Sequence, residues 1–200
     1  MARPNRNEKK SFSIAIVGDG HTEKIYFDQL RKSERLKIDL KPELPSGGGG
    51  DYGSVLKKAE QLSEDGYDLV LCLIDMDKII EENKLVAFGL KKEKLEKRGG
   101  FAVFECNPSF DLWFLLHFVY STKPYVSCDD LLKDLKIHLP DYSKNTEHLK
   151  RANLYETLKD KLPTAKTNAA KLEDAQNSIN GLRFPRCQVH LLIENLRKKN

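Results

Sequence analysis

Residues 69–77 read Leu69-Val70-Leu71-Cys72-Leu73-Ile74-Asp75-Met76-Asp77, six apolar residues followed by two aspartates that one residue separates. An uninterrupted apolar run of this length is typical of a parallel strand that is buried on both faces of a sheet. Asp75 then lies at the carboxyl end of a central strand, and ligands of open α/β sheets bind outside those ends. If the strand continues through both aspartates, period-two alternation sends Asp75 and Asp77 to the same side.

A second apolar run ends in acidic residues near the start of the chain, where Ile14-Ala15-Ile16-Val17 precedes Gly18-Asp19-Gly20-His21-Thr22-Glu23. Each acid also has a purely structural interpretation, since Glu23, for example, falls in the first turn of a helix, where the macrodipole favours an acid. Four carboxylates brought to one sheet edge would repel each other unless a cation neutralised them. Oxygen ligands of this kind suit hard divalent ions, Mg²⁺ (or Mn²⁺) above all. The pattern therefore predicts a metal-dependent enzyme of phosphate chemistry that uses Asp19, Glu23, Asp75 and Asp77.

Strands and helices alternate over roughly the first 120 residues, which predicts an α/β fold with a mostly parallel sheet of about four strands flanked by helices. The predicted strands are 11–17, 37–44, 68–74 and 101–104. We expect a flexible tail over 1–10, an α/β core over 11–125 and a helical C-terminal portion over 126–200 that packs on the core. Thr22 and Asn107 are predicted helix N-caps, with Pro108 at the first helical position. A further amphipathic helix is predicted over 81–98.

Composition limits the classes of protein to consider. With 40% hydrophobic and 32% charged residues the chain is typical of a soluble protein. The sequence has no apolar stretch of the roughly 18 residues that a membrane span needs, and its polar, basic start lacks the apolar segment of a secretory signal. The four cysteines form no C-x-x-C pair, which argues against a zinc site or a disulfide framework and for a cytoplasmic protein. The net charge of +4 permits nucleic-acid binding without requiring it.

Two segments resemble a known family. The acid after the first strand together with the D-x-D pair resembles the Toprim arrangement of topoisomerases, primases and OLD-type nucleases. Within that group, residues 17–27, which end in Gly20-His21-Thr22-Glu23-Lys24-Ile25-Tyr26-Phe27, are similar to the opening motif of the RloB family, and residues 107–118, Asn-Pro-Ser-Phe-Asp-Leu-Trp-Phe-Leu-Leu-His-Phe, resemble its most distinctive segment. The resemblance implies a Toprim-like metal-dependent endonuclease, with Asp111 as an additional acid near the metal. It also implies an ABC/SMC-like ATPase partner and a role in bacterial antiphage defence by abortive infection.

The chain departs from the RloB pattern at Asp19, where the family usually has Glu. Because aspartate is one methylene shorter, either the backbone compensates or Glu23 becomes the main ligand. His21, Lys24 and Lys78 are the candidates to contact substrate phosphate. His117 is predicted to be a packed histidine rather than a catalytic one.

Other interpretations of the same acids remain open. A D-x-D pair also occurs in haloacid-dehalogenase-type phosphatases, but those have Thr or Val where this chain has Ile79, and their motif ends the first strand. The alternatives are a metal-dependent phosphatase or nucleotidyl transferase, and a catalytically inactive interaction module of a defence complex. The basic run 91–98 contains two glutamates and is predicted to be a solvated helix face. The glycine run 47–50 is predicted to be a mobile loop over the site, and it lacks the Gly-Lys-Ser/Thr of a P-loop. The sequence leaves DNA or RNA as the substrate, and a possible oligomer, undecided.

Overall fold

A computed structural model describes residues 12–36, 39–45, 51–176 and 181–199. The predicted tail over 1–10 and the glycine run over 47–50 lie outside these ranges. The described residues form a five-stranded sheet with the strand order β2-β1-β3-β4-β5. The strands are β1 Ser13–Val17, β2 Asp39–Glu43, β3 Leu69–Asp75, β4 Phe101–Asn107 and β5 Arg186–Cys187. The first four strands are parallel, as predicted, whereas the fifth is antiparallel to β4, has two residues and was not predicted.

Helices flank this sheet on both faces and make up most of the C-terminal part. They are α1 His21–Glu34, α2 Tyr52–Glu64, α3 Asp77–Glu81, α4 Leu85–Lys97, α5 Asp111–Leu116, α6 Cys128–His138, α7 Thr146–Ala152, α8 Leu154–Leu158, α9 Leu162–Gln176 and α10 Val189–Lys199. None of the helices in the described ranges has both the length and the apolar character that a membrane crossing needs.

The central strands divide their side chains between two hydrophobic clusters, one on each face of the sheet. This division follows from the period of two along a strand. On one face, residues of β1 and β3 join a large cluster with α1, α5 and the C-terminal helices; these residues are Ile14, Ile16, Leu71 and Leu73. On the other face the alternate residues join a smaller cluster with α2 and α4; these are Ala15, Val17, Val70, Cys72 and Ile74. Both faces are therefore covered, which explains the uninterrupted apolar runs of the two strands.

The helices after residue 126 share the larger cluster with α1 and α5. Trp113 of α5 is fully buried, and its indole N–H donates to the hydroxyl of Tyr26 in α1 at 2.8 Å. Leu172 of α9 and Leu192 of α10 are also fully buried in this cluster. The C-terminal part thus completes the hydrophobic layer on one face of the sheet, and it supplies β5 at the edge.

The predicted helix start at Asn107 is wrong. Asn107 is the last residue of β4, the Asn107-Pro108 peptide bond is cis, and α5 begins only at Asp111. The amide of Asn107 donates instead to the carbonyls of Leu182 and Phe184, at 3.1 and 2.7 Å. This side chain holds the segment that leads into β5, so it is not available to cap a helix.

Two further helix boundaries differ from the prediction. The helix predicted over 81–98 is interrupted between α3 and α4, where Asn83 has a left-handed backbone with φ of 54°. The N-cap of α1 is Gly20 rather than Thr22, because the Glu23 carboxylate turns back and accepts the Gly20 N–H at 3.1 Å. This bond starts the helix at His21.

Candidate active site

The predicted acids lie at the carboxyl edge of the sheet, between β1 and β3. From β1 the chain crosses through α1 to β2 on one side, and from β3 it crosses through α3 and α4 to β4 on the other. The strand order reverses between β1 and β3, and at such a switch point the diverging connections open a crevice. Asp19 follows the end of β1, Asp75 is the last residue of β3, and Asp77 is the first residue of α3.

Three of the four predicted carboxylates line one small pocket of about 30 Å³. The acids are Asp19, Asp75 and Asp77, and Lys78 lies on the same wall. The remaining lining residues come from the starts of α2 and α4 and from α3 and its C-terminal end: Asp51, Tyr52, Ile79, Glu82 and Lys84. The turn after β1 and the end of β3 therefore face one hollow and not opposite sides of the sheet.

Glu23 lies behind this pocket, where its side chain is buried and only 4% of the residue is exposed. Its carboxylate accepts the Gly20 N–H, and Gly18 lies against its side chain, so close that a Cβ on Gly18 would come within 2.6 Å of the Glu23 Cβ. Burial raises the pKa of Glu23 to about 7; the backbone hydrogen bond lowers it, and the charges of Asp111 and Asp19 raise it further. Glu23 is therefore about half protonated at neutral pH in the metal-free protein.

Asp75 is fixed by the backbone that leads into α5. Its Oδ1 accepts the N–H of Phe110 at 2.8 Å. Burial raises the pKa of Asp75 well above its usual range, and the negative charges around it add to this effect. The carboxylates that contribute are Glu23, Asp111, Asp19 and Asp77. The five acids thus form one electrostatic group, even though they come from three separate parts of the chain.

Asp111, the acid that the resemblance implied, is 2% exposed and is already bound by neighbouring side chains. Its Oδ1 accepts the hydroxyl of Tyr142 at 2.5 Å, and its Oδ2 accepts the hydroxyl of Ser109 at 2.9 Å and pairs with Lys144 Nζ at 2.7 Å. Burial lowers the pKa of Lys144, but the charge of Asp111, its hydrogen bond and the nearby Cys128 and Asp75 together raise it by more, so the ammonium is retained. Asp111 is the buried end of an ion pair whose other member, Lys144, is exposed.

Two further residues, Lys144 and Cys128, contact the acids and were not predicted from the sequence as site residues. Lys144 lies in the chain before α7, and Cys128 begins α6. The Cys128 thiol donates to Asp77 Oδ2 at 3.0 Å, while the Lys78 N–H donates to Oδ1 at 2.7 Å. Burial and the bond to Asp77 raise the pKa of Cys128 to about 12, so it remains a thiol. No local motif marks either residue, because both reach the acids only through the packing of the C-terminal part on the sheet.

The predicted phosphate-contacting residues lie at different distances from the pocket. Lys78 lines it. His21 is exposed at the first position of α1, and Lys24 points towards Glu43 of β2 with a separation of 4.0 Å. His117 is packed rather than exposed: its Nδ1 lies 2.8 Å from the Trp113 carbonyl, and burial lowers its pKa to about 4.

The chemistry of the donor set fits a hard divalent ion, because it consists of carboxylate oxygens. Burial raises the pKa values of Glu23 and Asp75, and the repulsion between the carboxylates adds to this effect. Within residues 12–36, 39–45, 51–176 and 181–199, however, no three His, Cys, Asp or Glu side chains are arranged as a ready-made metal site. Binding of an ion would therefore require side-chain rotations at the pocket.

Comparison with known proteins gave one finding. A family model described as RloB-like protein matches residues 14–196. No curated protein and no solved structure matches the chain. The matched range includes every acid of the site.

Proposed function

This chain belongs to the RloB-like protein family, and on that premise we propose that it is a Mg²⁺-dependent nuclease of Toprim type that cleaves phosphodiester bonds in nucleic acid. The observation that carries the proposal is the single pocket lined by Asp19, Asp75 and Asp77 at the switch point between β1 and β3. Clustered carboxylates whose pKa values are raised, as those of Glu23 and Asp75 are, are typical of functional sites.

In this proposal Asp19, Asp75 and Asp77 hold Mg²⁺ or Mn²⁺, with Glu23 behind them. The ion would polarise a phosphoryl oxygen and lower the pKa of a bound water. The chain itself orients the donors: the Phe110 N–H fixes Asp75, and the Cys128 thiol and Lys78 N–H fix Asp77.

Charge balance around the pocket also suits a phosphodiester. Lys78 lines the pocket and is exposed, so its ammonium is a candidate to neutralise substrate phosphate. Lys144 compensates Asp111, which leaves the other acids to the cation. Loading of the ion would be coupled to proton release from Glu23, since carboxylate ligands must be deprotonated.

The test is incubation of the protein with Mg²⁺ or Mn²⁺ and labelled DNA, RNA, tRNA and a generic phosphomonoester. We expect strand cleavage that EDTA abolishes and that Asp75→Asn and Asp77→Asn each reduce by at least about 100-fold. Asp160→Asn, an exposed acid of the C-terminal part, is the matched control and should cleave at the wild-type rate. Release of phosphate from the monoester without strand cleavage would favour a phosphatase, and no reaction in any condition would favour an interaction module.

We propose further that the nuclease acts in the cytoplasm with an ABC/SMC-like ATPase in antiphage defence. The support for this context is the resemblance to the RloB family. A phage-restriction assay on the intact locus tests it: Asp75→Ala and Asp77→Ala should abolish protection, whereas Asp160→Ala should preserve it. Protection that survives both active-site changes would contradict a nuclease role in defence.

A further inference from the structure

A groove of about 490 Å³ runs between α2 and α4, on the face of the sheet that carries the smaller hydrophobic cluster. Its walls carry Lys57 from α2 and Lys91, Lys94 and Arg98 from α4 and its C-cap, and we call it the basic groove. Its other lining residues are Gly53, Leu56, Glu60 and Leu95. Four cations and one anion therefore face the same channel.

The positive charge of the basic groove is largely uncompensated. Glu60 pairs with Arg98 at 2.6 Å. Lys57, Lys91 and Lys94 are exposed, and within the described part of the chain none of the three forms an ion pair. Positions 91, 94 and 98 are three and four residues apart, so they share one face of α4. The glutamates of the same run are separated from this face: Glu93 pairs with Lys97, and Glu96 accepts the Val103 N–H.

One end of the basic groove adjoins the acid pocket. Tyr52 lines the pocket, and the next residue, Gly53, lines the groove. Lys91 lies at this junction: its Nζ is 5.1 Å from the centre of the Tyr52 ring and 3.8 Å from where a Cβ on Gly53 would be. Lys84, the N-cap of α4, lines the acid pocket itself. Cationic side chains therefore lie at the pocket, where Lys84 pairs with Glu82, and again from Lys91 to Arg98 at the C-terminal end of α4; the residues between them, 85–90, are uncharged.

We propose that the basic groove binds the phosphate backbone of a nucleic-acid strand and leads it into the acid pocket. This inference rests on the proposed nuclease function and adds the path of the substrate. From Lys84 to Arg98 the chain rises about 21 Å, at about 1.5 Å per helical residue. That length matches about six phosphates of one strand, at about 3.4 Å each in a duplex. A single nucleotide would need cations that converge on one point, whereas these are spread along a line.

Among the residues that the structure describes, the lining of the basic groove is typical of contacts to the phosphate backbone rather than of base recognition. The apolar lining consists of the buried side chains of Leu56 and Leu95, and the polar lining consists of three lysines, one arginine and the glutamate that pairs with the arginine. Contacts of this type bind any sequence and are strongly dependent on salt. We therefore expect the groove to determine affinity and not sequence preference.

The test compares a triple variant, Lys57→Gln/Lys91→Gln/Lys94→Gln, with the wild-type chain. Binding of labelled single-stranded DNA, single-stranded RNA and duplex DNA is measured by fluorescence anisotropy in EDTA over a range of salt concentrations. We expect the variant to bind at least about tenfold more weakly near 0.1 M salt, and the slope of log K against log salt to fall by roughly 2 to 3.

The matched control removes the same charge from the opposite side of the molecule. Lys136→Gln/Lys171→Gln/Lys198→Gln changes exposed lysines of α6, α9 and α10. These helices pack on the other face of the sheet, so binding should stay within about twofold of wild type. Melting curves of both triple variants check that they fold. Equal losses in the two variants, or unchanged binding in the first, would overturn the proposal.

A cleavage assay separates this proposal from the nuclease proposal. With Mn²⁺, the groove variant should cleave long strands at least about tenfold more slowly but should hydrolyse bis(p-nitrophenyl) phosphate, which is too small to use the groove, at the wild-type rate. Groove-dependent binding without hydrolysis of either substrate would preserve the groove and reject the nuclease. If the groove variant cleaved long strands at the wild-type rate, the nuclease proposal would stand and the groove proposal would be rejected. Binding of polyglutamate through these lysines, with no nucleic acid bound, would assign the groove to an acidic protein and overturn the proposal.

Discussion

Gly18 provides the space that Glu23 occupies behind the acid pocket. A methyl group at position 18 would lie 2.6 Å from the Glu23 Cβ, so the first turn of α1 would have to move away from β1. We predict that Gly18→Ala costs about 1–3 kcal/mol in the free energy of unfolding, the usual range for overpacking, and lowers cleavage by displacing Asp19 and Glu23. Chemical denaturation and the strand-cleavage assay measure the two effects.

Gly89 provides the matched control for Gly18. It lies in α4, it is exposed, and a Cβ there would meet no atom within 4 Å. Gly89→Ala should therefore stabilise the chain by about 0.5–1 kcal/mol through helix propensity, with cleavage unchanged. If both alanine variants behaved alike, the close contact between Gly18 and Glu23 would not be the cause.

Glu23 also makes a prediction about pH. The pKa of Glu23 is raised from 4.5 to about 7. Between pH 4.5 and 7, Glu23 is therefore protonated in the folded chain and deprotonated in the unfolded chain. In metal-free protein the contribution of Glu23 to stability is therefore complete below about pH 4.5 and is lost as the pH rises through about 7. Glu23→Gln, which mimics the protonated acid, should match wild type at pH 4.5 and be more stable by up to about 3 kcal/mol at pH 7.5.

The comparison must be the difference between variant and wild type, because other groups titrate in the same range. His117, whose pKa burial lowers to about 4, acts in the opposite direction and is present in both proteins. Glu147→Gln, at an exposed acid that pairs with Lys150, is the control and should show almost no pH-dependent difference. A constant offset between Glu23→Gln and wild type from pH 4.5 to 7.5 would contradict the raised pKa.

At the residue scale, the sequence predicts where the acids beside strand ends lie, but it does not predict which side chains contact them. Asp19 and Asp75 could be predicted because a strand end is a local pattern, and the ends of neighbouring parallel strands share an edge. Lys144 and Cys128 could not, since each reaches the acids from a separate element of the C-terminal part. Contacts of that kind depend on how helices pack, which no spacing in the sequence encodes.

At the scale of elements, α5 is joined to the segment before α7 by the buried group around Asp111. Lys144 is partly exposed, with 45% of its side chain accessible, whereas the Asp111 side chain is 3% accessible. We predict that Lys144→Gln destabilises the chain by about 1–2 kcal/mol, because it leaves a buried carboxylate with hydroxyl donors alone; solvent screening of the lysine keeps the cost below that of a fully buried pair. Thermal denaturation measures this loss.

A double-mutant cycle shows whether the loss belongs to the pair. Asp111→Asn/Lys144→Gln should recover part of the stability that the lysine change removes, because no uncompensated charge remains. Lys150→Gln, in the exposed pair with Glu147, is the control and should cost less than about 0.5 kcal/mol. Additive effects of the Asp111 and Lys144 changes would mean that the two residues act independently.

The strands show why some elements could be predicted and others could not. The runs of β1 and β3 are apolar because both faces of these strands are covered, and this is visible in the sequence. β5 has two residues, too few to show any period, and it exists because Asn107 holds the chain that precedes it. The same bonds account for the wrong prediction at Asn107-Pro108: Asn followed by Pro is typical of a helix start, but tertiary hydrogen bonds extend β4 through the asparagine.

The function that we propose for the basic groove depends on packing in the same way. The run 91–98 looks like a mixed, solvated face because lysines and glutamates alternate along it. In the folded chain the helix separates them, and Lys57 joins the lysines from an element that precedes them by a strand. The charge pattern could be read only after the crossover helices had been placed side by side.

At the scale of the whole molecule, the acid pocket lies where the two faces of the sheet meet. One face carries α1, α5 and the C-terminal helices, which bury Glu23 and Asp111. The other face carries α2 and α4, whose starts line the pocket and whose length forms the basic groove. Glu23 and Asp111 are therefore buried on the face of the larger hydrophobic cluster, and the basic groove lies on the face of the smaller one.

This arrangement predicts that a divalent ion stabilises the fold. Crowded carboxylates oppose folding in metal-free protein near neutral pH, and an ion bound only by the folded chain adds RT ln(1 + [L]/Kd), about 2.7 kcal/mol at 100 times Kd. For a chain of this size that corresponds to an increase in Tm of roughly 5–10 °C. The increase should be larger at pH 7.5 than at pH 5.5, because the ligands must lose their protons.

Asp75→Asn/Asp77→Asn should show no increase, and the same ionic strength supplied as NaCl should not replace Mg²⁺ or Mn²⁺ in the wild-type chain. Equal stabilisation of the wild type and the double variant would mean that the ion binds elsewhere, and it would contradict the proposed metal chemistry. An increase confined to the wild type would mean that the ion binds at the acid pocket, where its positive charge offsets the repulsion that contributes to the raised pKa values of Glu23 and Asp75.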